Sequence, residues 1–180
     1  MRPQISLGLA GEFAVLSQLA LRGYIASPTL AHTKSVDILV ANPTGGMWKL
    51  QVKATRKKND TPISVRLFGP TVCHWRMNKK DETLIDPAIL YCFVTFIGRL
   101  NEPRFYIVPS AVVARYVREQ HAHWLGTRGG RGDSDVREFR IGLDAALSRY
   151  PIPTPTVEAY EDQWDFAAAP RDRHQLWMIP

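Results

Sequence analysis

Four side chains have types and spacings that could do chemistry together: Glu12, Asp37, Gln51 and Lys53. Glu12 lies in Ile5 to Leu21, whose apolar spacing predicts a helix closed by Gly23. On a helical wheel Ile5, Leu9, Leu16 and Leu19 fall within about 60° of it, which places the carboxylate inside the apolar stripe. An ionised carboxylate facing a core needs a cation or several donors. Gly8 and Gly11 sit beside it and would let the helix backbone approach a sheet closely. Asp37 interrupts Val36-Asp37-Ile38-Leu39-Val40, where period two puts Val36, Ile38 and Val40 on one face and the acid on the other. In Leu50-Gln51-Val52-Lys53 the same period sets Gln51 and Lys53 on one face.

Register decides whether these residues meet. Strands are expected at Val36 to Ala41 and Met47 to Thr55, joined by Asn42-Pro43-Thr44-Gly45-Gly46, a strong turn signal. If Ala41 faces Met47, antiparallel pairing brings Asp37 opposite Gln51, with Lys53 diagonal to both. Carboxylate and amide oxygens suit Mg²⁺ or Mn²⁺, which keep waters for a nucleophile and for substrate phosphates. A lysine beside them can act on the attacking water or stabilise charge growing on a phosphate. Each residue also has a plainer reading, Glu12 as a salt-bridged edge residue and Asp37 as a turn cap.

The charge distribution points the same way. Net charge is +6, and from Lys49 to Lys80 there are nine basic residues against one acid, Asp60. From Pro151 onward five acids outnumber two basic residues. A basic middle with an acidic tail fits a face that meets a polyanion, and a solvated charged surface fits it equally. Arg128 and Arg131, in a Gly-rich loop from Thr127 to Asp135, are further candidates for gripping phosphates.

The remaining pattern sets the frame. At 180 residues with 45% hydrophobic content, one globular domain is expected and disorder is excluded. No apolar run reaches the ~18 residues of a membrane span, so no membrane partner is expected. Cys73 and Cys92, without an export signal, read as reduced thiols in a cytoplasmic protein. Further strands are expected at Tyr24 to Leu30, Ile63 to Phe68, Ile89 to Ile97 and Arg104 to Val108. Helices are expected at Asn78 to Leu84 and from Pro109 to about Leu125. Helix, strands and helix around a central sheet make an α/β (α+β) layout. One domain over residues 1–150 would carry an acidic Pro/aromatic tail over 151–180. Cys73-His74, His121 and His123 lack zinc spacing and read as structural. Trp75 is expected in the core, with base stacking as a lesser reading.

A helix bearing Gly-Glu, a Val-Asp-Ile strand and Gln-Val-Lys on the next strand together resemble the PD-(D/E)XK nuclease superfamily, in its Holliday-junction-resolvase-like branch. The resemblance covers about residues 5 to 55, with Val36 where many members have Pro and Gln51 where most have Asp or Glu. It implies a restriction-endonuclease-like core of αβββαβ topology with a central mixed sheet flanked by helices. It also implies a Mg²⁺- or Mn²⁺-dependent nuclease cutting DNA as an endonuclease, with branched or structured DNA among the substrates to test. Glu12 and Asp37 would hold the metal, with the Gln51 side-chain oxygen and the Val52 carbonyl completing the set. Lys53 would act on water or phosphate, and Arg56, Lys57 and Lys58 would hold the DNA backbone. A homodimer is expected because duplex cutting needs two sites. Gln51 lowers the site's charge by one, which favours an alternative: a nuclease-fold protein that binds nucleic acid or a protein partner without cutting. A third reading is an accessory or immunity-type domain whose acidic tail docks a basic partner.

Overall fold

The computed structural model describes residues 3–29, 36–56, 61–96, 102–127, 132–143 and 150–167, with side chains from residue 7. Helix α1, Pro3–Leu21, ends where Gly23 takes a φ of +77°. There Tyr24 N–H donates to Leu19 O at 3.0 Å and Gly23 N–H to Ala20 O at 3.1 Å, a paired closure that glycine permits without strain. Strand β1, Ile25–Pro28, pairs antiparallel with β2, Ile38–Ala41, and β2 pairs antiparallel with β3, Met47–Thr55.

The β2–β3 turn is tied by Asn42, whose Oδ1 accepts Gly46 N–H at 2.6 Å and whose N–H reaches Gly46 O at 3.0 Å. This turn sets Ala41 opposite Met47 and Ile38 opposite Leu50, the register that the loop length implies.

The chain then crosses over through α2, Pro62–Phe68, strand β4, Val72–Asn78, and a single helical turn at Lys79–Glu82. It returns as β5, Ile89–Phe96, parallel to β3, and turns back antiparallel as β6, Pro103–Pro109. Helix α3, Ser110–Thr127, strand β7, Val136–Gly142, and the short α4, Val157–Tyr160, complete the order. The main sheet runs β1-β2-β3-β5-β6, and β4 with β7 forms a second, two-stranded sheet. The order α1-β1-β2-β3-α2-β5 thus follows αβββαβ with β4 inserted. No helix among the described residues is long and apolar enough to cross a membrane.

One expectation needs correction, and Trp75 takes the core place expected of it. Ile63 to Phe68 is helical: Thr61 Oγ1 caps Ser64 N–H at 3.3 Å and Pro62 occupies the first turn. The alternation of Ile63, Val65 and Leu67 suggested a strand, but Phe68 is the buried residue of that helix. Trp75 is buried, with its Nε1 donating to Val94 O at 3.1 Å, and offers no ring to a base. The Cys73 and His121 readings as structural residues fit their burial, His121 Nε2 lying 2.8 Å from Asp133 Oδ1.

Two cores sandwich the main sheet. On one face α1, through Val15 and Leu19, packs with Leu50, Val52, Trp164 and Phe166. On the other, β4, β7 and α3 pack over Tyr91, Phe93 and Tyr106. β5 lies between both and is buried almost throughout, as a run that is apolar but for Thr95 and the Tyr91 hydroxyl requires. The segment after α4 is tied down as well: Tyr24 Oη donates to Trp164 O at 2.7 Å, and Arg104 grips Glu161 through Nε and Nη2 at 2.6 and 2.9 Å.

The tightest point lies between α1 and β3. A Cβ built on Gly11 would stand 2.8 Å from Ala54 Cβ, whereas one on Gly8 would meet nothing within 4 Å. The same substitution should therefore have opposite signs one turn apart. Gly11→Ala is expected to destabilise by about 1–3 kcal/mol through overpacking. Gly8→Ala should stabilise by up to about 1 kcal/mol through helix propensity. Urea denaturation of both variants checks this, and a shift of the same sign in both would contradict it.

Candidate functional site

The site forms where β3 outruns β2. The β2–β3 ladder begins at Ile38, and Asp37 N–H still donates to Leu50 O at 2.8 Å. Beyond that point the Asp37 side chain takes over, its Oδ2 accepting Val52 N–H at 2.7 Å. In an extended strand a residue's N–H and C=O point to the same edge, so the Val52 carbonyl faces the same gap. Asp37 is thus fixed against the edge of β3, between the Leu50 carbonyl and the Val52 N–H.

Glu12 arrives from the helix. Because Gly11 lets α1 lie against Val52 and Ala54, the next residue stands close to the same edge of β3. Its carboxyl is held above the ordinary carboxylate range by burial, and the neighbouring Asp37 charge raises it further. Glu12 does not sit in the middle of the apolar stripe, as the wheel suggested. The buried line is Gly11, Val15 and Leu19, Glu12 is half-buried at its margin, and Leu9 is 44% exposed. The stripe is shifted because the residue that meets the sheet is a glycine, which carries no weight on a hydrophobic wheel.

Gln51 and Lys53 occupy the opposite face of β3 from the α1 core, Gln51 beside Tyr91 and Lys53 beside Phe93 in the parallel β5 register. Gln51 is 5% exposed, and its Oε1 is buried with no hydrogen-bond partner. Tyr91 cannot serve it, because its hydroxyl donates to the fully buried Asp81 at 2.8 Å. A buried carbonyl oxygen left without a donor costs about 1–3 kcal/mol. Lys53 is half-buried on the same face, one strand pleat further along.

Two carboxylates that repel each other and an amide oxygen in want of a partner fit a divalent cation by the chemistry of their donors. Among the described residues no three His, Cys, Asp or Glu side chains gather as a metal cluster, so any such site rests on the amide as well as the acids.

No family model matches the chain, and no curated protein does. Among solved structures it is similar to a bacterial homing endonuclease, I-Ssp6803I, at 17% identity and a TM-score of 0.50, over 91% of this chain and 90% of that one. The fold is restriction-endonuclease-like. A Holliday junction resolvase of Archaeoglobus fulgidus, Hjc, aligns at 10% identity and a TM-score of 0.41, over 73% of this chain and 82% of that one.

In this restriction-endonuclease-like frame Arg56 follows directly on β3 and is exposed, while Lys57, Lys58, Arg128 and Arg131 lie outside the described residues. Elsewhere in the basic stretch Lys49 pairs with Asp86 at 3.6 Å and Lys79 with Asp133 at 2.7 Å. Sequence reasoning missed Tyr91 and Asp81, which stand behind Gln51. A tyrosine inside an otherwise apolar buried strand was the available signal, since its hydroxyl must find a partner.

The raised Glu12 carboxyl has a stability consequence. A carboxyl whose folded value lies above its unfolded value opposes folding once the pH exceeds both, and the penalty disappears at acid pH. In the presence of a chelator, Glu12→Gln should raise the melting temperature near neutral pH and leave it unchanged well below the carboxylate range. Melting curves at the two pH values test this; an equal shift at both would show that the charge is not the cause.

Proposed function

We propose that the protein is a divalent-metal-dependent nuclease that hydrolyses DNA phosphodiester bonds as an endonuclease. The observations that carry this reading are the buried, partnerless Gln51 Oε1 and the Glu12 carboxyl raised by burial and by the Asp37 charge. The fold, shared with a homing endonuclease, supports it.

Glu12, Asp37, the Gln51 amide oxygen and the Val52 carbonyl are the residues that would hold Mg²⁺ or Mn²⁺. When bound, such an ion supplies Lewis-acid polarisation of a phosphate and an acidified water. Asp37 has one oxygen engaged by Val52 N–H, so its carboxylate is oriented before any ligand arrives. Lys53, on the Gln51 face, positions the attacking water and offsets charge as it grows on the phosphate. Arg56, with Lys57 and Lys58 next in sequence, continues the basic run toward the DNA backbone, a contact type that gives affinity without base preference. Gln51 in place of an acid also favours a second reading, a DNA- or protein-binding module of the same fold that does not cut.

The test is cleavage of supercoiled, branched and single-stranded DNA with Mg²⁺ or Mn²⁺. Asp37→Ala and Lys53→Ala should each lower the rate by about 100-fold or more. In calorimetric titration, Gln51→Glu should tighten Mn²⁺ binding and Asp37→Ala should abolish it. Cleavage that survives both alanine substitutions would sink the mechanism. Folded wild-type protein without a Mn²⁺ site would favour the binding module.

A further inference from the structure

Strand β7 carries two buried arginines, and the fold treats them differently. Arg137, 3% exposed, has every nitrogen engaged: Nε by Glu82, Nη1 by the Ser134 and Val136 carbonyls, and Nη2 by Asp133 at 3.2 Å. Arg140, 6% exposed, is engaged at Nη2 alone, by Glu138. Its Nε and Nη1 are buried with no hydrogen-bond partner. Those two nitrogens carry three of the five N–H donors of the guanidinium. The nearby Tyr116 hydroxyl does not meet them, for it is itself buried without a hydrogen bond. The Phe68 ring, its centroid 4.1 Å from Arg140 Cζ, holds the group from one side. Buried donors without acceptors are costly, so a fold that keeps three of them calls for an acceptor from outside.

There is room for one. Arg140 forms part of the wall of a cavity of about 220 Å³ between α3 and β7. Gln120, His121 and Trp124 line its α3 side, with Ser134 and Glu138 across from them. Glu138 is the one acid among the described lining residues, and it is taken up by Arg140 Nη2 and by His74 Nδ1 at 3.9 Å. Arg76 stands opposite Glu138 in the β4 register and is exposed on the same face, so two arginines answer one acid there.

We propose that this cavity binds a phosphate monoester, whose terminal oxygens take the unmade donors of Arg140. Such a group brings three terminal oxygens and close to two negative charges, and arginine holds it through charge-assisted hydrogen bonds. A phosphodiester, with two free oxygens and one charge, answers the site less fully. The cavity is smaller than the roughly 300–1,000 Å³ of a drug-sized site, so the ester is a small one. Trp124, stacked on His121 with ring centroids 5.4 Å apart, supplies a flat wall for its carbon part. The inference goes beyond the nuclease reading and does not rest on it, because none of Glu12, Asp37, Gln51 and Lys53 lines this cavity.

Calorimetric titration of the full chain with thymidine 5′-monophosphate, in the presence of a chelator, tests it. The wild type should bind the nucleotide saturably, and thymidine, which lacks the phosphate, should not bind. Arg140→Gln should weaken binding by about 100-fold. If that variant fails to fold, Ser134→Asp serves in its place: it sets a carboxylate at the exposed lip and should weaken binding by about 10-fold or more. Lys53→Ala should bind as the wild type does. Displacement of the nucleotide by a short DNA strand with a 5′-phosphate, and not by the same strand with a 5′-hydroxyl, would support the proposal with a strand end as the source. Displacement by neither strand would support it with a free ester as the source. No saturable binding overturns the proposal, as do equal binding of thymidine, binding that survives both Arg140→Gln and Ser134→Asp, and loss of binding in Lys53→Ala alone.

Discussion

Where α1 crosses β3, a hydrogen atom at Gly11 is all that separates the helix backbone from Ala54, and a Cβ there would stand 2.8 Å from the Ala54 Cβ. Helix and sheet can lie this close only at a glycine, and the distance propagates. It seats Val15 and Leu19 in the first core, and it carries Glu12 to the edge of β3 where Asp37 is already hydrogen-bonded. A larger residue would move the helix outward and separate the two carboxylates. The packing of the core and the electrostatics of the site are therefore set by one contact.

The electrostatics gain a second meaning from Gln51. Burial, with the Asp37 charge adding to it, already raises Glu12, and a third acid at position 51 would put another carboxylate in a place that is 5% exposed. An amide there adds an oxygen without a further buried charge, so the folded protein avoids the cost of a third carboxylate in that buried place. Behind it, the Tyr91–Asp81 hydrogen bond commits the nearest hydroxyl elsewhere and leaves the amide oxygen bare.

How much of this was legible in the sequence depended on how local the cause was. The Met47–Thr55 strand, the Gly23 closure and the β2–β3 register follow from turn chemistry within a few residues, and the structure agrees with them in detail. The α2 helix was misread because Ile63, Val65 and Leu67 alternate as in a strand, while the deciding signals, Thr61 and Pro62, precede them. The pairing of β4 with β7 joins residues 58 to 70 positions apart, and nothing local announces it. In the candidate site, Asp37, Gln51 and Lys53 could be placed by strand period. The Asp81–Tyr91 pair could not, because Asp81 sits in a charged stretch that reads as solvated until its distant partner is known.

The hydrogen bond from Tyr24 to the Trp164 carbonyl joins residues 140 positions apart, and Trp164 and Phe166 fill the same core as Val15 and Leu19. During synthesis the first helix leaves the ribosome long before the side chains that seal it. For most of translation, then, the apolar side of the sheet lacks its last covering. Long-range closures of this kind slow folding and lengthen exposure of sticky surface. A stop late in the message would leave a near-complete sheet with an open seam where Trp164 and Phe166 belong.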